Sequence, residues 1–306
     1  MNKKDHIKSL GYINPLDYNV LFLTLDSCRY DTTQKANTPF LNSIGIIRKA
    51  LSHADATLPS HTIMFDGRLP SVEEPPFWPF YTDSIKQLWR VSLQDGFFNT
   101  KAKIALYLKG NNIVEGYSNI GYFTLGVSSL GCFTKGSILN TNFDTFFDYY
   151  NYKSKDRISP RTKEEFPLNH INEIIKKIES HEKWFLFINT IETHYPYDVG
   201  DGYSRSLFPL MQKMKKHLNL CHNIKPLTER DSKILQNMQI HALEVVDKRF
   251  KKLVSMVPKN RPILIIICGD HGESFGEEFY GFPRCGHFHC SPEVLEVPLL
   301  ITVIAE

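Results

Sequence analysis

Pro262-Ile-Leu-Ile-Ile-Ile-Cys-Gly-Asp-His-Gly-Glu273 is an unbroken apolar run that stops on a polar turn. It does not alternate, so it predicts a strand covered on both faces, as in a parallel sheet packed between helices. The turn then lies at the carboxyl end of the strand, the edge where open α/β sheets hold ligands.

The same pattern recurs along the chain. Asn19-Val-Leu-Phe-Leu-Thr-Leu25 ends on Asp26-Ser-Cys-Arg-Tyr-Asp31, and Trp184-Phe-Leu-Phe-Ile188 leads to Glu192-Thr-His-Tyr-Pro-Tyr197. Val297-Pro-Leu-Leu-Ile-Thr-Val303 predicts a last strand. Helical spacing appears at Ile171, Ile174, Ile175 and Ile178, and a long helix is predicted around Met238 to Met256. Thr38-Pro39 opens a short helix through Phe40, Leu41, Ile44 and Ile47. Thr57-Leu-Pro-Ser-His61 reads as a turn, and Pro70 to Pro79 as loop. Residues 84–150 mix short strands with Gly, Asn and Tyr. Strand, polar cluster and helix in repetition predict an α/β fold, a central mostly parallel sheet sandwiched by helices. A single domain over residues 1–306 is the expected organisation.

Composition narrows the function classes. Hydrophobic residues at 42% and charged residues at 23% give a globular balance. A net charge of +3 is too mild for a nucleic-acid footprint. No run approaches the roughly 18 to 20 apolar residues of a membrane-spanning helix. Met1-Asn-Lys-Lys-Asp-His6 is followed by no apolar segment of the kind a signal peptide has, so a cytoplasmic protein is expected. Cys28, Cys132, Cys221, Cys268, Cys285 and Cys290 are then expected as free thiols.

Asp26, Asp270 and His271 follow apolar strands and form a donor set suited to zinc or manganese. Either aspartate alone reads better as a helix N-cap; the three together favour a metal. Thr57 reads as a nucleophile if a base or a metal activates it. Its alternative is an N-cap or an ST-turn before Pro59. Cys285, His287, His289 and Cys290 offer a competing zinc cluster, with spacing tighter than ordinary structural sites. Phe77, Trp78, Tyr81, Tyr149, Tyr150 and Tyr152 could line a pocket for a base or sugar, or serve as core and surface packing.

These blocks, in this order, together with Thr38-Pro-Phe-Leu41, Gly67-Arg-Leu-Pro70 and Ala242-Leu-Glu-Val-Val-Asp-Lys248, resemble the alkaline-phosphatase and sulfatase superfamily. The resemblance implies a helix-flanked sheet with a metal site at the strand ends. It places the nucleophile in the block that here reads Thr57-Leu-Pro-Ser-His61. Sulfatases require Cys or Ser there, with a following Pro and Arg, for conversion to formylglycine. Thr57 and His61 depart from that pattern, so sulfatase activity is disfavoured. The block is more similar to the nucleotide pyrophosphatase/phosphodiesterase branch, which uses a threonine nucleophile and an Asn three residues on.

Ser60 stands at that Asn position, and its hydroxyl, with His61, is expected at the substrate. Two-metal members carry an Asp where this chain has Thr190. Glu192 would substitute, with His194 and His287 completing a second site and His289 as the alternative late ligand. In the other alternative His194 only holds substrate, beside one ion. The resemblance implies attack of metal-activated Thr57 on phosphorus, a phosphothreonine intermediate, and release to water or an acceptor alcohol.

The expected activity is a metal-dependent phosphoester hydrolase, a phosphodiesterase or phosphatase, acting on a small phosphorylated substrate with one or two zinc or manganese ions. A phosphoryl transferase or mutase with the same first step is the alternative, and a non-catalytic metal-bearing binding domain is the second. Membrane-anchored phosphoethanolamine and phosphoglycerol transferases carry helices that this stretch lacks, which favours a soluble enzyme.

Overall fold

The apolar runs become strands because each can bury both of its faces. The computed structural model describes residues 14–67, 112–152 except 138 and 141, 161–203, 207, 209–210, 212–214 and 227–305, and for backbone alone 89–92 and 105–108. Its strands are β1 (Asn19–Leu25), β2 (Arg48–Leu51), β3 (Trp89–Ser92), β4 (Ala105–Leu108), β5 (Phe123–Ser128), β6 (Thr145–Asp148), β7 (Trp184–Thr190), β8 (Ile263–Gly269), β9 (Ser274–Phe279), β10 (Phe282–Gly286) and β11 (Glu296–Ile304). Its α-helices are α1 (Tyr30–Lys35), α2 (Pro39–Ile44), α3 (Thr57–Asp66), α4 (Ile113–Asn119), α5 (Ile171–Ile178), α6 (Glu229–Met256) and α7 (Pro292–Leu295).

Seven strands form the central sheet in the order β2-β11-β8-β1-β7-β5-β6. Pairing is parallel from β8 across to β6, and β11 runs antiparallel to both its neighbours. The mostly parallel α/β sheet expected from the sequence is therefore present. Alternate residues of each central strand feed opposite cores. Leu21, Leu23, Ile265 and Ile267 pack against Ile171, Ile174 and Ile178 of α5 and Leu243, Val246 and Phe250 of α6. Val20, Phe22, Phe185 and Phe187 pack against Phe65 of α3 and Val114 and Tyr117 of α4.

Several boundaries differ from the sequence expectation. Thr57 to His61 is the first turn of α3 rather than a free turn. Pro59 is compatible with this because the first amide groups of a helix lack intrahelical partners anyway. Helix α6 begins nine residues before Met238, where Thr228 and Asp231 form a capping box. Cys28, Cys132, Cys268, Cys285 and Cys290 are free thiols. Cys221, Phe77, Trp78, Tyr81 and the segment Pro70 to Pro79 lie outside the described residues. Among the described residues, no helix is long and apolar enough to cross a membrane.

Two polar side chains of α6 tie the sheet edge together. Gln239 donates to the carbonyls of Ser27 (2.8 Å) and Thr193 (3.1 Å) and accepts from Thr32 Oγ1 (2.6 Å), linking the turns after β1 and β7. Asp247 accepts from the backbone N–H groups of Phe40 and Leu41, capping α2. The turn after β8 is held by close approach instead. Gly272 N–H donates to Val294 O at 2.6 Å, and a Cβ at Gly272 would lie 2.1 Å from the Glu293 carbonyl oxygen. Replacing Gly272 by Ala should force this turn off α7 and cost about 1–3 kcal/mol, as overpacking does. A urea midpoint equal to that of the unsubstituted protein would show that the turn does not need the approach.

Candidate functional site

Strands β1 and β8 are adjacent and parallel, with Leu25 opposite Gly269. The next residues, Asp26 and Asp270, therefore emerge side by side at the carboxyl edge of the sheet. Ser27 adopts a left-handed conformation (φ 58°), and its N–H donates to Asp270 Oδ1 at 3.0 Å. The N–H of His271 donates to the same oxygen at 2.8 Å. This leaves Asp270 Oδ2 and Asp26 Oδ2 buried without partners. His271 Nδ1 lies 2.8 Å from the Gly272 carbonyl, so Nδ1 carries the hydrogen and Nε2 keeps its lone pair. Nε2 is 3.7 Å from Asp270 Oδ2 and 3.9 Å from Asp26 Oδ1.

Donor atoms of Asp26, Asp270 and His271 all fall within 4.8 Å of one another, and all three residues are buried. Two unpaired carboxylate oxygens and one imidazole lone pair converging in a dry site fit a divalent cation. Burial and the charge of Asp26 push the Asp270 carboxyl well above its ordinary range. Burial alone would raise Asp26 too, but the surrounding imidazoles of His194, His271, His61 and His287 hold it below the usual carboxylate range. Burial, then His287, pushes His271 down to about 3, so its ring is neutral.

Thr57 is the first residue of α3, and its hydroxyl lies 3.2 Å from His271 Nε2. Ser60 and His61, both expected at the substrate, sit one helical turn on and point inward. Ser60 Oγ donates to the Asp270 carbonyl at 2.6 Å. His61 is enclosed by Phe65, Phe133 and Phe187, with Nδ1 2.8 Å from the Thr57 carbonyl and Nε2 3.0 Å from Thr24 Oγ1. Burial pushes His61 down to about 4. A free turn would let these side chains point outward; the helix sets them beneath Thr57, where His61 is set against the Thr57 backbone carbonyl.

A second group lies beside the first. His194, on the loop after β7, stands 5.9 Å from His287 between ring centroids, and His287 stands 4.5 Å from His271. Glu192, expected to complete a second metal site, is instead paired with Arg249 Nη1 at 2.9 Å. The carboxylate that faces this pair is Glu273, 3.5 Å from His287 Nδ1 and bonded to the Tyr197 hydroxyl. His289 packs near Phe279, 5.9 Å between ring centroids. Among the described residues, only Asp26, Asp270 and His271 bring three such donors within reach of one ion, and Cys285, His287, His289 and Cys290 do not converge as a zinc cluster.

Sequence reasoning missed Arg161. Its guanidinium donates to the carbonyls of Ile191 (2.5 Å) and Tyr195 (3.2 Å), clamping the loop that carries His194. No motif surrounds it, so no sequence signal marks it. Glu273 sat in full view beside His271, and its place just beyond a buried strand was the available signal. Tyr149 stacks on His170 and donates to Glu173, and Tyr152 donates to Asp148, so both are engaged in local packing.

Comparisons with known proteins agree with this architecture. The chain resembles a protein of the alkaline phosphatase superfamily from Vibrio parahaemolyticus at 14% identity and TM-score 0.55, over 95% of this chain and 60% of that one. It resembles the C-terminal periplasmic domain of phosphoethanolamine transferase EptC from Campylobacter jejuni at 12% identity and TM-score 0.55, over 94% and 79% respectively. The phosphonate monoester hydrolase from Silicibacter pomeroyi is similar at 14% identity and TM-score 0.58, over 93% and 67%. No curated protein matches the sequence. The sulfatase family model matches residues 18–304, and with that match over nearly the whole chain the protein belongs to the sulfatase family.

Proposed function

We propose that the protein is a metal-dependent phosphoester hydrolase with Thr57 as nucleophile. The observation that carries this reading is the Thr57 hydroxyl 3.2 Å from His271 Nε2, beside the unpaired oxygens of Asp26 and Asp270. A divalent ion held by Asp26, Asp270, His271 and Thr57, zinc or manganese, would lower the pKa of the threonine hydroxyl and neutralise charge on the phosphoryl oxygens. Thr57 also opens α3, so the positive end of the helix dipole faces an anionic group there.

Thr57 gives its hydroxyl proton to solvent, and Oγ1 forms a bond to phosphorus as the ester P–O bond opposite breaks. The departing oxygen takes up a proton from water, giving a phosphothreonine and the free alcohol. His194 and His287 face the departing oxygen and supply hydrogen bonds to it. Glu273 beside His287 and Arg161 beneath the His194 loop orient the pair. Water then attacks phosphorus and frees Thr57; an acceptor alcohol in its place would make the same site a transferase. A threonine has no formylglycine form, which supports phosphoryl over sulfuryl transfer. With Glu192 committed to Arg249, one ion with His194 and His287 on the substrate side is the favoured arrangement.

Thr57→Ala should lower turnover of bis(4-nitrophenyl) phosphate or 4-nitrophenyl phosphate by at least about a thousandfold, with fold and metal content retained. Residual turnover within about tenfold of the unsubstituted enzyme would remove Thr57 from the nucleophile's role. A parallel assay on 4-nitrophenyl sulfate should give the weaker activity.

Metal affinity should depend on pH. Burial and the charge of Asp26 raise the Asp270 carboxyl in the ion-free protein, and ligation requires the carboxylate, so a metal ion competes with a proton there. His271 is already neutral above about pH 3 and adds nothing to the slope. Zinc affinity should therefore fall about tenfold for each pH unit below the Asp270 pKa, with about one proton released. Calorimetry in buffers of different ionisation enthalpy reads both; an affinity flat with pH would contradict the assignment of Asp270 as a ligand.

A further inference from the structure

The β9–β10 hairpin follows directly from the Asp270 turn and carries aromatic side chains into solvent, with Tyr280 84% and Phe282 64% exposed. The chain then returns along it. His289 lies 5.9 Å from Phe279 and Phe279 lies 4.4 Å from Tyr280, between ring centroids. Phe288 precedes His289 in the chain and turns to the catalytic-edge histidines. Its ring is 4.3 Å from that of His287, which in turn neighbours the metal-site imidazole of His271.

Folding stability does not account for Phe288. Its backbone is left-handed (φ 73°), a conformation that glycine or asparagine adopts readily and a phenylalanine does not. Its ring is 58% exposed, so little apolar burial offsets that strain. The position is nevertheless well fixed. Phe288 N–H donates to the Asp55 carbonyl at 3.2 Å, two residues before Thr57. A large ring is thus held in a strained conformation, partly in solvent, between the nucleophile's helix and the histidines. Strained residues of this kind concentrate at ligand sites.

We propose that Phe288 is a specificity-determining residue that seats an aromatic ring carried by the substrate. The anionic centre of the ester occupies the metal edge by Thr57, which rests on the function proposed above, and its ring packs on Phe288 in the offset or edge-to-face manner of aromatic pairs.

Non-hydrolysable phosphonates test this without turnover. Calorimetry on the zinc-loaded full chain should show phenylphosphonate binding about tenfold more tightly than methylphosphonate. Phe288→Asn and Phe288→Gly, both at ease with a left-handed backbone, should bring that ratio to within about twofold and leave methylphosphonate affinity unchanged. Phe288→Tyr should keep it. Equal binding of the two compounds by the unsubstituted protein, no binding of either, or a ratio that survives the Asn and Gly substitutions would each overturn the proposal. Preferential binding of phenylphosphonate by a protein that turns over no phosphoester supports the aromatic seat and counts against the proposed reaction alone.

Discussion

Two carboxylates are forced together in a dry place. Parallel pairing of β1 with β8 brings Asp26 and Asp270 to adjacent positions at the same sheet edge, both fully buried. Like charges at such range in low dielectric repel strongly, and burial together with the charge of Asp26 pushes the Asp270 carboxyl well above its ordinary range. Only one oxygen of Asp270 is satisfied, by the N–H groups of Ser27 and His271. The remaining oxygens form a deficit of positive charge, and the histidines, the turn conformations and the helix end around them are arranged about it.

The surrounding framework explains why the deficit persists rather than collapsing. Ser60 and His61 anchor α3 to the Asp270 carbonyl and to β1 through Thr24, so the Thr57 hydroxyl cannot drift from His271. Arg161 and Gln239 both grip the backbone of the β7 loop, at the carbonyls of Ile191, Tyr195 and Thr193. Each of these groups is itself fully hydrogen-bonded at the contact that matters, so rigidity is obtained without leaving further buried polar atoms exposed to penalty.

The parts of this molecule legible in the sequence were those governed by local periodicity. Strands β1, β7, β8 and β11 announce themselves as apolar runs because both faces are covered, and α5 by its isoleucine spacing. Asp26, Asp270 and His271 followed from strand ends. What depends on which way a side chain turns was not legible. Thr57-Leu-Pro-Ser-His61 carries a proline and three hydroxyl or ring polar groups, which favour a turn locally; packing of Phe65 into the core overrides that and makes it helix. The same helix turns Ser60 toward the Asp270 carbonyl and His61 toward Thr24. Glu192 and Glu273 are indistinguishable as letters, and only Arg249, far along the chain, decides which of them is spoken for.

Helix α6 carries a consequence for the lifetime of the site. Gln239 and Asp247 attach the turns after β1 and β7 and the start of α2 to a single 28-residue helix whose apolar face is locked into the main core. Loops on enzyme surfaces commonly open one at a time, at small free energies, and a bound ion can leave through the first to open. Here the turns share one anchor, and that anchor moves only when the core does. Separate opening of the turns after β1 and β7 would have to break their carbonyls away from Gln239, so the two turns are tied to the same helix and the integrity of the site becomes a property of the fold and not of any one loop.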